Sequence, residues 1–380
     1  MNFKLTERAA DYAENIQERL VSLIAEITAI PAPSGREEKR AEFIKKWLEK
    51  RGARGVFIDS ANNVIFPMGS IEKECNAYMA HIDTVFPDMD PIPVKIENGK
   101  MHAPGVGDDT ANVAELMLWI EYILNNRLRP ANGGVLFVFD ACEEGLGDLR
   151  GSKNLMKNYG GSIKQLVSFD GTMANVVNMA VGSVRWKVAV ETEGGHSYDM
   201  FGNANAIARM SEIICDLYAQ KVPNNRFKTT YNVGTIAGGT SINTIAQRAE
   251  ILYEYRSEHK GNLDEMDASF HSIIGKYTAK GYKVALERVG MRPCMGDVDS
   301  QTQHRLEQAV EELIIRETGE APNFVSGSTD CNVSFANGIP SVCFGGCTGY
   351  GAHTREEWLE IVSLTTGMRC VGSVLLKDFE

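Results

Sequence analysis

The stretch VLFVFDACEEG, residues 135–145, constrains the fold more than any other part of the chain. Its apolar half is mostly β-branched or aromatic and reads as a strand buried on both faces, the habit of a parallel sheet covered by helices. The run then turns acidic at Asp140, Glu143 and Glu144. Like charges repel, so carboxylates crowd in this way where a multivalent cation offsets them. Ligands of open α/β sheets bind beyond the carboxyl ends of the strands. One run of residues therefore points to a fold class and to the place of a site.

The surrounding chain alternates in the same sense. NIQERLVSLIAEITAI has helical spacing, and PAPSGREEKRAEFIKKWLEKRG is a turn followed by an amphipathic helix that stops at Gly52. Strand-like NVIFPM, NAYMAHID, VLFVFDA and QLVSFDG follow, with the apolar helix NVAELMLWIEYILNN between the second and third. Strands alternating with helices predict a mostly parallel sheet flanked by helices. After MAVGS the order becomes strand, helix, two strands, helix, strand, which suits a small α+β domain of split βαβ type. The α/β pattern resumes near residue 293 with QHRLEQAVEELIIRETG and SVCFGG. The expected organisation is a catalytic domain in two pieces, 1–182 and 293–380, with an inserted lid or dimerisation domain at 183–292. A chain of 380 residues is long enough for two domains.

Composition narrows the function classes. A formal net charge of −11 argues against nucleic acid as the main partner, since such binders carry a basic stripe. No stretch approaches the roughly 20 apolar residues that span a bilayer, and the polar N-terminus lacks an apolar signal core. A cytoplasmic protein with reduced thiols is expected from this, and its eight cysteines then read as small buried residues. Cys343 and Cys347 are the only close pair, weak evidence for a zinc knuckle.

Other strand ends and turns carry ligand-type side chains as well: HIDTV, GVGDDTAN, SFDG and, far downstream, GYGAHTREEW. Together with CEEG they offer His81, Asp83, Asp108, Asp109, Glu143, Glu144, Asp170 and His353. Taken singly, each has a bland explanation: a solvated histidine, a charged helix start, or Asp–Gly turn chemistry. Their joint placement at the ends of apolar runs favours a metal site, and imidazole with carboxylate suits zinc or a similar first-row ion. His102, His259, His271 and His304 lie outside the constellation.

The ordered motifs HIDTV, PGVGDDTAN, CEEG, SFDG, GGHS and GAHT resemble the co-catalytic zinc metallopeptidases. That family includes peptidase T, glutamate carboxypeptidase, acetylornithine deacetylase and succinyl-diaminopimelate desuccinylase. The likeness extends to IPAPSGREE and VGTIAGGTSINTIA and so covers nearly the whole chain, and GSTDCNVSFANGIPSVCFGG looks closest to the peptidase T-like branch. The resemblance implies two divalent ions, zinc with manganese or cobalt as alternatives, held by His81, Asp108, Glu144, Asp170 and His353. Asp108 would bridge them, with His81 and Asp170 on one ion and Glu144 and His353 on the other. Asp83 would orient the His81 ring, and a cis peptide is expected between Asp108 and Asp109.

Glu143 would then be the general base that activates a metal-bridging hydroxide, and His196 would help stabilise the oxyanion. Asn243 and Arg256 match positions that relatives use to bind substrate. The implied reaction is amide hydrolysis in short peptides. Asp at position 170, rather than Glu, favours a di- or tripeptide aminopeptidase over an N-acyl- or N-carbamoyl-amino-acid amidohydrolase or a carboxypeptidase. A homodimer formed through the inserted domain is expected on the same likeness. Two departures stand out: Thr110-Ala111-Asn112 replaces the usual Lys-Gly-Gly, where it could reshape the substrate site, and Ala246 replaces a proline.

Overall fold

The computed structural model describes residues 3–380. The chain divides into two compact units, one made of the residues up to Ala180 together with Gly296–Glu380, the other of Val181–Met295.

An eight-stranded sheet organises the first unit. Its central strands Gly134–Asp140, Cys75–His81, Ile163–Ser168 and Ser341–Cys343 pair in parallel. Val64–Gly69 joins one side antiparallel, and Asn175–Ala180 joins the other side antiparallel to Ser341–Cys343. All seven residues of Gly134–Asp140 are buried, as expected of a strand covered on both faces. Tyr78, Phe137 and Phe169 pack from the sheet into one core with Leu116, Trp119 and Ile120 of helix Asn112–Asn125 and Val371 and Val374 of helix Ser363–Leu376. The two helices meet closely: a Cβ on Gly372 would lie 2.1 Å from Trp119 Cζ2, so only glycine fits there. The indole N–H donates to the Met368 carbonyl at 2.9 Å.

A second, four-stranded antiparallel sheet in this unit was not expected from the sequence. It joins Gly349–Tyr350, Trp358–Glu360, Lys100–His102 and Lys95–Glu97 in that order. Its strands are two or three residues long, too short to show a period. It matters because it carries the loop that bears His353.

The second unit is a four-stranded antiparallel sheet in the order Thr229–Gly238, Arg248–Ser257, Gly182–Glu191, Lys283–Arg292. Arg248–Ser257 alternates between buried and partly exposed residues along its length, the mark of a sheet with one covered face. Ile251, Tyr253 and Tyr255 pack against Met210 and Ile213 of helix Ala206–Ala219 and Met266 and Phe270 of helix Lys260–Ala279. Asn205 opens the first of these helices by accepting from the Ile207 and Ala208 N–H groups. Among the described residues no helix is long and apolar enough to cross a membrane.

Candidate metal centre

His81 is the last residue of its strand and is buried. Glu143 and Glu144 follow the neighbouring strand Gly134–Asp140, and Asp170 follows Ile163–Ser168. Adjacent parallel strands thus bring these side chains to one edge of the sheet. Asp108 sits in the turn before helix Asn112–Asn125, and the Asp108–Asp109 peptide is cis. His353, with φ of 65° in the left-handed region uncommon for residues other than glycine, lies beyond strand Gly349–Tyr350.

Asp108 stands between the two imidazoles. One of its oxygens is 3.0 Å from His81 Nε2 and the other 3.2 Å from His353 Nε2. His353 Nε2 also lies 2.9 Å from Glu144 Oε1, and His81 Nε2 lies 3.9 Å from Asp170 Oδ1. Ligand-type atoms of His81, Asp108 and Glu144 fall within 4.8 Å of one another, as do those of His81, Asp109 and Asp170. Asp109 spends its oxygens elsewhere: one accepts the His81 backbone N–H at 2.9 Å and the other the Asn112 amide at 2.5 Å.

The charges of this cluster suit cations. Burial opposes charge on His81, but Asp108 and Asp83, aided by Asp109 and Asp170, outweigh it and hold the imidazole well above its ordinary value. Asp108 and Glu144 raise His353 to about 11. Burial, reinforced by the Asp108 charge, lifts Asp170 to about 7. A site that binds protons this firmly has negative charge in surplus, which divalent cations would offset. The donor set of two imidazoles and three carboxylates fits such ions by chemistry as well as by charge.

Asp83 faces the His81 ring and the turn after the neighbouring strand. Its carboxylate is 3.6 Å from His81 Nδ1, and its backbone carbonyl is 3.2 Å from the same nitrogen. The two carboxylate oxygens also accept the backbone N–H groups of Glu143 and Glu144, each at 3.0 Å, and Ser34 donates to one of them as well. Asp83 therefore holds the glutamate turn in addition to facing the imidazole, since a buried carboxylate can satisfy several donors at once. Thr110, Ala111 and Asn112 are buried, and Asn112 ties Asp109 to the Gly346 N–H.

His196, Asn243 and Arg256 belong to the other unit. His196 is exposed, with Nδ1 3.2 Å from Asp199, and its strand Gly195–His196 pairs with Thr244–Ile245, next to Asn243. Arg256 is engaged by Glu254 through two hydrogen bonds of 2.9 and 3.1 Å.

Two functional residues escaped sequence reasoning. Glu357 is buried and accepts the backbone N–H groups of Gly105, Gly107 and Asp108 at 2.6, 2.8 and 2.9 Å, which clamps the turn that carries Asp108. In TREEWLE it reads as a solvated surface charge, and no local signal marks it. Arg40 is buried and donates to the carbonyls of Ile30 and Ile82, fixing the chain just after His81. Its helix EKRAEFIKKWLEK looks charged enough to leave it in water.

Comparison with known proteins places the chain in a family. The chain is 23% identical to the uncharacterized protein YqjE of Bacillus subtilis, over 94% of this chain and 98% of that one. A tripeptidase from Staphylococcus aureus superimposes with a TM-score of 0.73 at 20% identity, covering 94% of this chain and 97% of the other. The aminopeptidase PepT of Bacillus cereus does so with a TM-score of 0.70 at 21% identity and the same coverage. These structures share the fold: a largely parallel sheet with helices and a lid domain. The model of peptidase family M20/M25/M40 matches residues 77–377, from the His81 strand to the last helix, and the chain belongs to that family.

Proposed function

We propose that the protein is a di- or tripeptide aminopeptidase that uses two divalent ions, zinc with manganese or cobalt as alternatives, held by His81, Asp108, Glu144, Asp170 and His353. The observation that carries this reading is Asp108 seated between two imidazoles, 3.0 and 3.2 Å away, with Glu144 and Asp170 beside them. When bound, the ions would supply Lewis-acid polarisation of the scissile carbonyl and acidify the attacking water. Glu143 takes the proton from that water and hands it to the leaving amine. Asp83, through the Glu143 and Glu144 N–H groups, keeps base and ligand in register. On the family likeness, His196 is assigned to the developing oxyanion, and Asn243 and Arg256 to substrate binding near the cleaved bond and its carboxylate end.

An aspartate at position 170 and the likeness in fold to a tripeptidase and to PepT support cleavage at a free amino terminus. A homodimer is supported by the edge strand Thr229–Gly238, which is long, largely exposed and, among the described residues, flanked by no strand on its outer side.

A mass-spectrometric panel tests the reading. Protein loaded with zinc, manganese or cobalt is offered di- and tripeptides beside N-acetyl, N-succinyl and N-carbamoyl amino acids. Release of the N-terminal residue from free-amine peptides is expected, and turnover of blocked substrates alone would overturn it. Glu143→Ala should bind two metals and lose turnover by 100-fold or more, since general-base catalysis contributes roughly 10²–10⁴-fold. Full activity in that variant would remove Glu143 from the mechanism.

A further inference from the structure

A cavity of about 260 Å³ opens beside the candidate metal centre, within the first unit. It is smaller than the roughly 300–1,000 Å³ of pockets that enclose a drug-sized ligand, and so has room for one side chain. Three ligand-bearing turns border it: Gly107 precedes Asp108, Gly171 follows Asp170, and Ala352 precedes His353. A peptide whose cleaved bond reaches those ligands therefore has a neighbouring side chain at the mouth of this cavity.

Tyr350 and Trp358 supply the bulk of its wall. They are direct partners across the antiparallel pair Gly349–Tyr350 and Trp358–Glu360, so both rings stand on one face of the small sheet. Tyr350 is 76% exposed, so its ring is open to a ligand from solvent. Lys100, which does not line the cavity, holds its ammonium 3.3 Å from the centre of the Trp358 ring and so steadies it. The only charged lining groups are Asp108 and Glu357, and both are committed: Asp108 to His81 and His353, Glu357 to three backbone N–H groups. No cation lines the cavity to receive an acidic side chain, and neither carboxylate is left over for a basic one.

We propose, resting on the aminopeptidase reading above, that this cavity is the specificity pocket and takes an uncharged apolar or aromatic side chain from the residue on the acyl side of the cleaved bond. The acyl side is chosen because an aminopeptidase leaves a single residue there, which matches a cavity with room for one side chain. The preferred substrates are then short peptides that begin with leucine, methionine, phenylalanine or tyrosine.

The test compares kcat/KM for X-Ala-Ala peptides in which X is Leu, Phe, Ala, Lys or Glu. Values for Leu and Phe should exceed those for Lys and Glu at least tenfold. Tyr350→Ala, which opens the wall, and Asn175→Phe, which fills the cavity, should each cut the Phe-to-Ala ratio about tenfold, through KM. A flat profile, a preference for Lys, or ratios unchanged in both variants would overturn the pocket while leaving the aminopeptidase reading intact. Should no free-amine peptide be cleaved, that reading fails, and binding of free leucine and phenylalanine decides the pocket. It is followed by tryptophan fluorescence with Trp358→Phe as reference. Affinity no greater than for glutamate, or unaffected by Tyr350→Ala, would refute it.

Discussion

Glu357→Gln separates two contributions that one carboxylate makes. The side chain accepts three backbone N–H groups of the 105–108 turn, yet burial and the nearby Asp108 charge lift it to about 7. Glutamine has the same length but offers one acceptor and one donor. In its better orientation it keeps the bonds from Gly107 and Asp108 and turns its amide against the Gly105 N–H. Losing one charge-assisted bond and neutralising two others costs about 3–5 kcal/mol. Removing a carboxylate that burial and the Asp108 charge make costly to ionise returns free energy of a similar order.

The two nearly cancel in the metal-free protein, so its Tm should move little. Metal binding should not be spared, because the turn that aims Asp108 is loosened. Losing such a supporting contact typically weakens metal affinity 10–100-fold, or about 1.4–2.7 kcal/mol. At a fixed metal concentration above Kd the stabilisation by metal shrinks by the same amount, roughly 2–5 °C of the metal-induced rise in Tm. Chelator competition for zinc and thermal unfolding with and without metal give both numbers, with exposed Glu356→Gln as the control. Wild-type zinc affinity together with an undiminished metal-induced shift would refute the clamp.

Three more outcomes follow from other parts of the molecule. Glu115 is buried with neither oxygen partnered, and burial raises its pKa well above the ordinary carboxyl value, so the folded state binds its proton more tightly than the unfolded state. Its contribution is therefore complete below about pH 4.5 and is lost as pH rises toward the folded pKa, by up to about 1.4 kcal/mol per unit. Glu115→Gln should gain Tm over wild type between pH 5 and pH 8 in chelator, and a pH-independent difference would contradict this. Gly372→Ala should lower Tm by overpacking Trp119, by about 1–3 kcal/mol, although alanine is the better helix former; a stabilised variant would show that the two helices can part freely. Light scattering should report a dimer for the wild-type chain and a monomer for Ile236→Lys, which charges the exposed edge strand; a wild-type monomer would end the dimer proposal.

Much of this protein follows from the sequence alone, because hydrophobic period and strand-end chemistry are local. The apolar run at 135–139 could only be a strand covered on both sides, and it is one. His81, Asp170 and the glutamate pair each end a recognisable strand, so parallel pairing was enough to gather them. What tertiary structure decided involves contacts between segments far apart in the chain. Glu357 reaches back about 250 residues to the turn that holds Asp108, from a stretch that looks like solvated surface. Asp83 faces the backbone of Glu143 and Glu144 as well as the histidine two residues before it, and only the first of these contacts is invisible in the sequence. The small sheet that carries His353 and joins Tyr350 to Trp358 has strands too short to leave a periodic trace. Residue types announce which ligands are available, whereas a hydrogen bond to a backbone N–H leaves no mark on the residue that donates it.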